Sequence, residues 1–263
     1  MICVFDCETI PDTELIKKQY SFNEDLDELN LSLKAMSLQE AKNGSSFLPV
    51  PYHKVVAISA VIADDFGNFK KVSSIDGTNE KEMIENFLNF IDKHNPKLIS
   101  FNGRGFDIPM LFIRALKYNL SCPAYFEQDN QMLNKTKWEN YRSRYSEQFH
   151  IDLLEVLGHY GAVRNLKLDT ICTMAGVPGK FDISGDMVLE LYYKGEIKKI
   201  KEYCESDVLN TYILFLKYEI LKGNLSQEDY KAILLQMSDK MPKEKSYSKI
   251  FLDFIKKEVK DDS

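Results

Sequence analysis

The opening segment MICVFDCETI runs apolar from Ile2 to Phe5 and then places Asp6 and Glu8 two residues apart. On a strand, successive side chains point to opposite faces, so both carboxylates leave one face while Cys7 leaves the other. A strand this apolar reads as buried on both sides and therefore central in its sheet. Carboxylates at the end of such a strand are costly unless a cation compensates them. No Lys or Arg occurs in the first sixteen residues. A solvated pair just past the strand end is the plain alternative, so the D-x-E pair alone does not decide.

The patterns that follow build an α/β arrangement around that strand. A polar, acidic stretch, FNEDLDELN, leads to NGSS and to Pro49 and Pro51 and reads as a long insertion. VVAISAVIA (55–63) and the segment from Phe69 to Ile75 are rich in β-branched residues. They flank DDFGN, a hairpin signal, and so form an antiparallel pair. Met83, Ile84, Phe87, Leu88 and Ile91 share one helical face before Pro96 and a fourth strand, KLISF. Ile108 to Tyr118 reads as a helix, residues 128–149 as a polar aromatic excursion, and FHIDL as a fifth strand. Helices are expected at 153–160, 167–175, 185–193, 196–217, 226–238 and 246–260. The expected fold is α/β, a mixed five-stranded sheet flanked by helices with the first strand central, followed by a C-terminal helical extension.

Two later segments carry acids that belong with the first pair. Asp107 follows KLISF through Asn102, Gly103, Arg104, Gly105 and Phe106, and Pro109 lies in the first turn of the next helix. As an N-cap, Asp107 would satisfy orphan backbone donors, the simplest account of a lone Asp there. The two glycines suggest more, because they let the backbone run close to a ligand, and Asn102 can hydrogen-bond a sugar or a base edge. In KKIKEYCESDVLNTYILF, Tyr203 and Asp207 are four apart and share a face at the shoulder of the apolar stripe Ile200, Cys204, Val208 and Phe215. A packed Tyr–Asp hydrogen bond explains that pair equally well. Three such places in one chain match what phosphodiester hydrolysis with two metals needs, three or four carboxylates converging on ions about 4 Å apart. Magnesium and manganese favour such oxygen ligands.

Composition narrows the partners. A net charge of -6 argues against holding nucleic acid by bulk electrostatics, which needs a broad Lys/Arg surface. Any such contact is local. Five cysteines without a C-x-x-C pair suit reduced, mostly buried thiols and give no zinc spacing. No apolar run is long enough to span a membrane, and no basic leader precedes the first strand, so a cytoplasmic protein without membrane contact is expected.

FDCETIPD, SFNGRGFDIP, FHIDLLEVLGHYG, GVPGKFDISG and YCESDVLNTYILF together resemble the DEDD superfamily of 3′-to-5′ exonucleases, tyrosine subclass (DEDDy). The nearest kin by these motifs are stand-alone proteins related to the proofreading domain of B-family DNA polymerases. The resemblance covers residues 1–223 and implies a ribonuclease H-like domain there, with 224–263 as the helical extension. It implies Asp6, Glu8, Asp107 and Asp207 as ligands of two divalent ions, Mg2+ or Mn2+, with Tyr203 orienting the attacking water. A tyrosine ionises near pH 10, so at neutral pH it aligns water rather than deprotonating it. In the sister subclass a His stands five positions before the last Asp; here that position is Glu202. The implied activity is release of nucleoside 5′-monophosphates from a single-stranded or frayed 3′ end, with DNA favoured and RNA possible. Thr9, Asn102, Gly103, Phe106 and Lys180 are the expected substrate contacts, an idle loop lysine being the alternative for Lys180. A DNA polymerase or repair partner is a further expectation.

Trp138, Tyr141 and Tyr145, interleaved with Lys137, Arg142 and Arg144, read as core packing at helical spacing ahead of base stacking. Asp152 is a reserve fourth ligand or a helix cap, His150 is structural, and Ser184 is an N-cap. Ile250, Phe251, Phe254, Ile255 and Val259 form an apolar face for docking on this chain or on a partner. Three rival readings remain. A phosphatase-type D-x-D-x-T motif fails because the second acid is Glu. A ribonuclease H-like endonuclease has no particular need for Tyr203, and a catalytically silent binding module has no need for all five residues.

Overall fold

The structure, a computed structural model, describes residues 1–22, 25–179 and 184–260. The chain begins with strand β1 (Ile2–Pro11) and two short-range helices, α1 (Thr13–Gln19) and α2 (Glu28–Asn43). Strands β2 (His53–Ala63) and β3 (Phe69–Ser74) follow, then α3 (Glu80–His94), β4 (Lys97–Ser100), α4 (Asp107–Tyr118) and α5 (Pro123–Phe126). After β5 (His150–Asp152) the described chain is helical, with α6 (Leu153–Leu157), α7 (Leu168–Met174), α8 (Val188–Tyr193), α9 (Ile197–Leu221), α10 (Gln227–Lys240) and α11 (Ser248–Lys260). Among the described residues no helix is long and apolar enough to cross a membrane.

The sheet order is β3-β2-β1-β4-β5, so β1 is central as expected. β2 runs antiparallel to β1 and β3, whereas β4 and β5 run parallel to β1. This is the mixed five-stranded sheet of the expected α/β, ribonuclease H-like architecture. Period-2 alternation divides β1 between two cores. Cys3, Phe5 and Cys7 pack with α3 and α4, while Ile2 and Val4 pack with residues of α9, α10 and α11. Asp6 and Glu8 fall in the second set and so face α9. Between Glu8 and Thr9 the pairing with β2 shifts from Ala57 to Val55. Bulges of this kind twist a strand locally and re-aim its side chains.

The insertion between the first strand and Pro49 holds α1 and α2, whose Ile16, Leu31 and Ala35 form a small core with Leu48. Leu29, Leu31 and Leu33 alternate rather than repeat at helical spacing, and the helix is set by its cap, with Asp27 accepting from Asn30 N at 2.8 Å. The 128–149 segment is not a helix, so Trp138, Tyr141 and Tyr145 do not share a face. Tyr141 is fully buried, stacked on Tyr125 with ring centroids 5.2 Å apart and donating to Pro96 O at 2.6 Å. Trp138 and Tyr145 are 76% and 72% exposed, which rules out core packing for both.

The C-terminal helices dock on this chain. Tyr230, Ile233, Leu234 and Met237 of α10 and Phe251 and Ile255 of α11 share one apolar core with Val208, Tyr212 and Phe215 of α9. All five cysteines are free and buried.

Candidate active site

Asp6, Glu8 and Asp107 line one cleft, and Tyr203 and Asp207 lie near enough to act on them electrostatically. β1 contributes Asp6, half-buried, and Glu8, buried. α9 contributes Tyr203 and Asp207, one helical turn apart and both buried. The loop after β4 contributes Asp107 as the first residue of α4, and Phe106 occupies the N-cap position. The cap explanation for Asp107 therefore does not hold. Its carboxyl is 4% exposed, and among the described residues its Oδ1 has no hydrogen-bond partner.

That loop is shaped by a carboxylate behind it. Asp152, at the end of β5, accepts from Asn102 N and Arg104 N, both at 2.8 Å, and caps α6 through Leu154 N at 3.0 Å. Its oxygens are occupied by backbone donors, so it is a brace and not a reserve ligand. Arg104 turns away from the cleft to donate to Tyr141 O (2.9 Å) and His150 O (2.8 Å). Gly103 is buried, and a Cβ there would lie 2.5 Å from Ser100 Cβ. Its glycine serves close packing behind the loop, and Gly103 does not line the cleft as a substrate contact would. Gly105 and Asn102 do line it. His150 is structural as expected, buried with Nε2 2.8 Å from Ser100 Oγ.

The carboxylates act on one another. Burial raises the Asp6 carboxyl well above its ordinary range, and the charges of Asp107, Glu8 and Asp207 raise it further. Burial likewise lifts Asp107 to about 7. The Tyr203 phenol is pushed upward by burial first, then by Asp207, Glu8 and Asp6, so it stays neutral through any physiological range. Two sulfurs join the group: Cys7, hydrogen-bonded to Asp107, and Cys204, which the sequence marked only as part of an apolar stripe. Cys204 Sγ donates to Asp6 O at 3.4 Å, and ligand atoms of Asp6, Glu8 and Cys204 lie within 4.8 Å of one another. The only prior signal was its place between Tyr203 and Asp207 on the inward stripe.

Four neighbouring carboxylates, with Asp6 pushed upward by burial and by its neighbours' charges and Asp107 by burial, suit a divalent cation that would favour their charged forms. The unpartnered Asp107 oxygen is an available ligand atom, and an all-oxygen set from Asp6, Glu8, Asp107 and Asp207 matches magnesium or manganese.

The cleft has a volume of about 790 Å³, and its second wall comes from the chain that follows α2. Phe47, His53 and Phe106 form a ring cluster with centroid separations of 4.6 Å (Phe47–His53), 5.1 Å (Phe47–Phe106) and 5.0 Å (His53–Phe106). His53 Nε2 lies 2.9 Å from Leu48 O, which can only accept, so Nε2 carries the proton and Nδ1 accepts from the Thr9 hydroxyl at 2.9 Å. Burial lowers the His53 pKa, in keeping with the neutral ring. Thr9, Asn102 and Phe106 thus line the cleft. Lys180 lies outside the described residues. Ser184 stands at the N-cap position of the turn Gly185–Met187 but makes no capping bond; its hydroxyl donates to Asp186. Trp138 and Tyr145 line a separate groove with Lys97 and Lys222, away from all five acidic and phenolic residues.

A family described as predicted 3′-5′ exonuclease related to the exonuclease domain of PolB matches residues 45–258. The DNA polymerase of Archaeoglobus fulgidus is 23% identical over 137 residues, 51% of this chain and 17% of the polymerase. The DNA polymerase catalytic subunit of Elephantid herpesvirus 1 is 26% identical over 148 residues, 52% of this chain and 14% of that protein. The chain thus spans less than a fifth of these relatives. The structure of the family B DNA polymerase from the archaeon Pyrobaculum calidifontis aligns with 90% of this chain and 29% of its own, at 16% identity and a TM-score of 0.49.

Proposed function

The chain belongs to this family of predicted 3′-5′ exonucleases related to the PolB exonuclease domain, and from that premise we propose that it is a tyrosine-type member that shortens single-stranded DNA from its 3′ end. The observation that carries the reading is that Asp6, Glu8 and Asp107 line one cleft while Asp207 and Tyr203 lie close behind, with Asp207, Glu8 and Asp6 raising the Tyr203 phenol and Asp107, Glu8 and Asp207 raising Asp6. The four carboxylates would hold two divalent ions, Mg2+ or Mn2+. When bound, such ions supply a hydroxide at neutral pH and stabilise the leaving oxygen.

The chain's own residues position the reactants. Tyr203, buried and neutral, is hydrogen-bonded to Asp207; exchanging that bond for one to the attacking water would let the phenol hold the water in line. Thr9 and Asn102 offer polar atoms to the terminal sugar, and Phe106 offers an aromatic edge to its base. Phe47 and His53 extend that aromatic wall. The bond that breaks is the one between the last phosphorus and the 3′ oxygen of the preceding nucleotide. The products are a nucleoside 5′-monophosphate and a new 3′-hydroxyl end. DNA is favoured because the relatives are DNA polymerases.

Chromatography of the products tests this reading. Wild type with Mn2+ should release nucleoside 5′-monophosphates from single-stranded DNA, with Asp207→Asn inactive. Release of 3′-monophosphates, or of internal fragments, would contradict it, and an RNA substrate run alongside measures the sugar preference.

A further inference from the structure

The turn of α9 that carries Tyr203 and Asp207 is gripped from behind by the C-terminal extension. With about 3.6 residues per turn, Glu202 and Glu205 leave the face opposite Tyr203 and Asp207. Glu205, 3% exposed, accepts from Ser74 N (3.0 Å) and Ser74 Oγ (2.9 Å) at the end of β3. Its other oxygen accepts from the Tyr247 hydroxyl at 2.8 Å and pairs with Lys245 Nζ at 2.9 Å. Glu202 accepts from Ser246 N at 3.0 Å. Three consecutive residues in the link between α10 and α11 therefore hold two carboxylates of the same helical turn. Tyr247 is itself fully buried and meets Phe251 edge-on, with centroids 6.1 Å apart.

We propose that Glu205, Tyr247 and Lys245 are positioning residues for the active-site turn, which makes the C-terminal extension a working part of the catalytic unit. The hydrophobic term that packs α9 on the sheet is itself non-directional. Hydrogen bonds depend on both distance and angle. A carboxylate has about four acceptor sites, and those of Glu205 are filled by groups from β3 and from the 245–247 link. Rotation of α9 would break several of these bonds at once. That fixes where Tyr203 and Asp207 stand relative to Asp6 and Glu8 on the neighbouring strand, and a misplacement of about 1 Å in such a site costs about 10²-fold in rate.

This inference rests on the exonuclease reading, and its test separates the two. Tyr247→Phe and the double variant Lys245→Met/Tyr247→Phe are compared, as full-length protein, with Tyr230→Phe. Tyr230 lies in the same extension and donates to Glu258 at 3.1 Å, away from the active-site turn. Turnover on labelled single-stranded DNA is measured well below each melting temperature, and Mn2+ binding is measured by calorimetry without substrate. Tyr247→Phe should lower kcat roughly tenfold with KM unchanged, and should weaken Mn2+ binding several-fold. Tyr230→Phe should lower the melting temperature and leave kcat and Mn2+ binding alone. Wild-type kcat and Mn2+ binding in Tyr247→Phe, or equal losses in Tyr230→Phe, would overturn the clamp. Should the double variant not fold, Tyr247→Phe decides alone. Should wild type cleave nothing, the exonuclease reading fails, and Mn2+ binding alone judges the clamp.

Discussion

Replacing Asp107 with Asn should stabilise the metal-free protein while abolishing its proposed activity. Burial lifts the Asp107 carboxyl from 3.8 to about 7. In the unfolded chain it ionises near the ordinary value, so between those two values the native state binds more protons than the unfolded one. Stability is therefore lost as pH rises through that window, the reverse of the usual salt-bridged carboxylate. Above pH 7 the penalty is complete, and at about 1.4 kcal/mol per pKa unit its ceiling is about 4 kcal/mol. Asparagine removes this penalty, which is already net of the favourable backbone hydrogen bonds to the charge at the start of α4. With some relaxation around the site, a net gain of about 2 kcal/mol is expected, or a melting temperature higher by about 4 °C for a chain of this length. Thermal unfolding in chelator at pH 8 and pH 5 measures it. At pH 5 only the unfolded carboxyl is ionised, so the gain should shrink to about a third. With Mn2+ the order should reverse, because ion binding stabilises wild type by mass action and the variant less. A variant that melts at or below wild type in chelator at pH 8, or whose gain is equal at both pH values, would refute this electrostatic account of the site.

Three further outcomes follow. Tyr203→Phe should fold as well as wild type and lose about 10²-fold in kcat with little change in KM, since in the proposed mechanism the phenol acts on water and not on substrate; steady-state kinetics would expose an unchanged kcat. Arg114, 4% exposed, bonds Glu80 through Nε (2.7 Å) and Nη2 (2.5 Å) and Asp12 through Nη1 (2.5 Å). Arg114→Met would leave buried Glu80 without its cation and Asp12 with only Lys117 at 3.7 Å, at a cost of about 3 to 5 kcal/mol, and urea unfolding should show that loss. Burial holds the His150 ring well below its ordinary pKa. The unfolded state alone takes up that proton, so stability should decline as pH falls below about 6.5, by at most about 1.4 kcal/mol per pH unit. His150→Gln, which keeps a hydrogen-bonding partner for Ser100, should flatten that slope in denaturant titrations between pH 7 and pH 5.

Local periodicity showed which acids share a face, while the resemblance to the exonuclease family supplied their expected roles. The two-residue spacing of Asp6 and Glu8 set their shared face, and the four-residue spacing of Tyr203 and Asp207 set theirs. Alternation of apolar residues likewise located the strands and the central place of β1. Features set by distant partners were not legible in the same way. Asp107 looked like a cap because its burial depends on Cys7 and the carboxylates across the cleft, and Gly103 looked like a ligand contact because Ser100 lies behind it only once the loop is folded. His53 meets Thr9 across 44 residues of chain, a contact that no local pattern encodes. The clamp on α9 joins Glu205 to Ser74 and Tyr247, and a glutamate on a helix flank reads as a solvated charge until the elements that bury it are in place. Trp138 and Tyr145 had helical spacing without a helix, since Tyr141 and Lys135 anchor that segment through individual contacts instead.

The most direct test of the central claim is digestion of a single-stranded DNA oligonucleotide labelled at its 5′ end, beside a closed circular strand of the same composition, in Mn2+. Wild type should give a ladder descending one nucleotide at a time and leave the circle intact, and Asp6→Asn, Asp207→Asn and chelator should each abolish the ladder. Cleavage of the circle, or a ladder that persists in both variants, would contradict a 3′-end exonuclease built on these carboxylates.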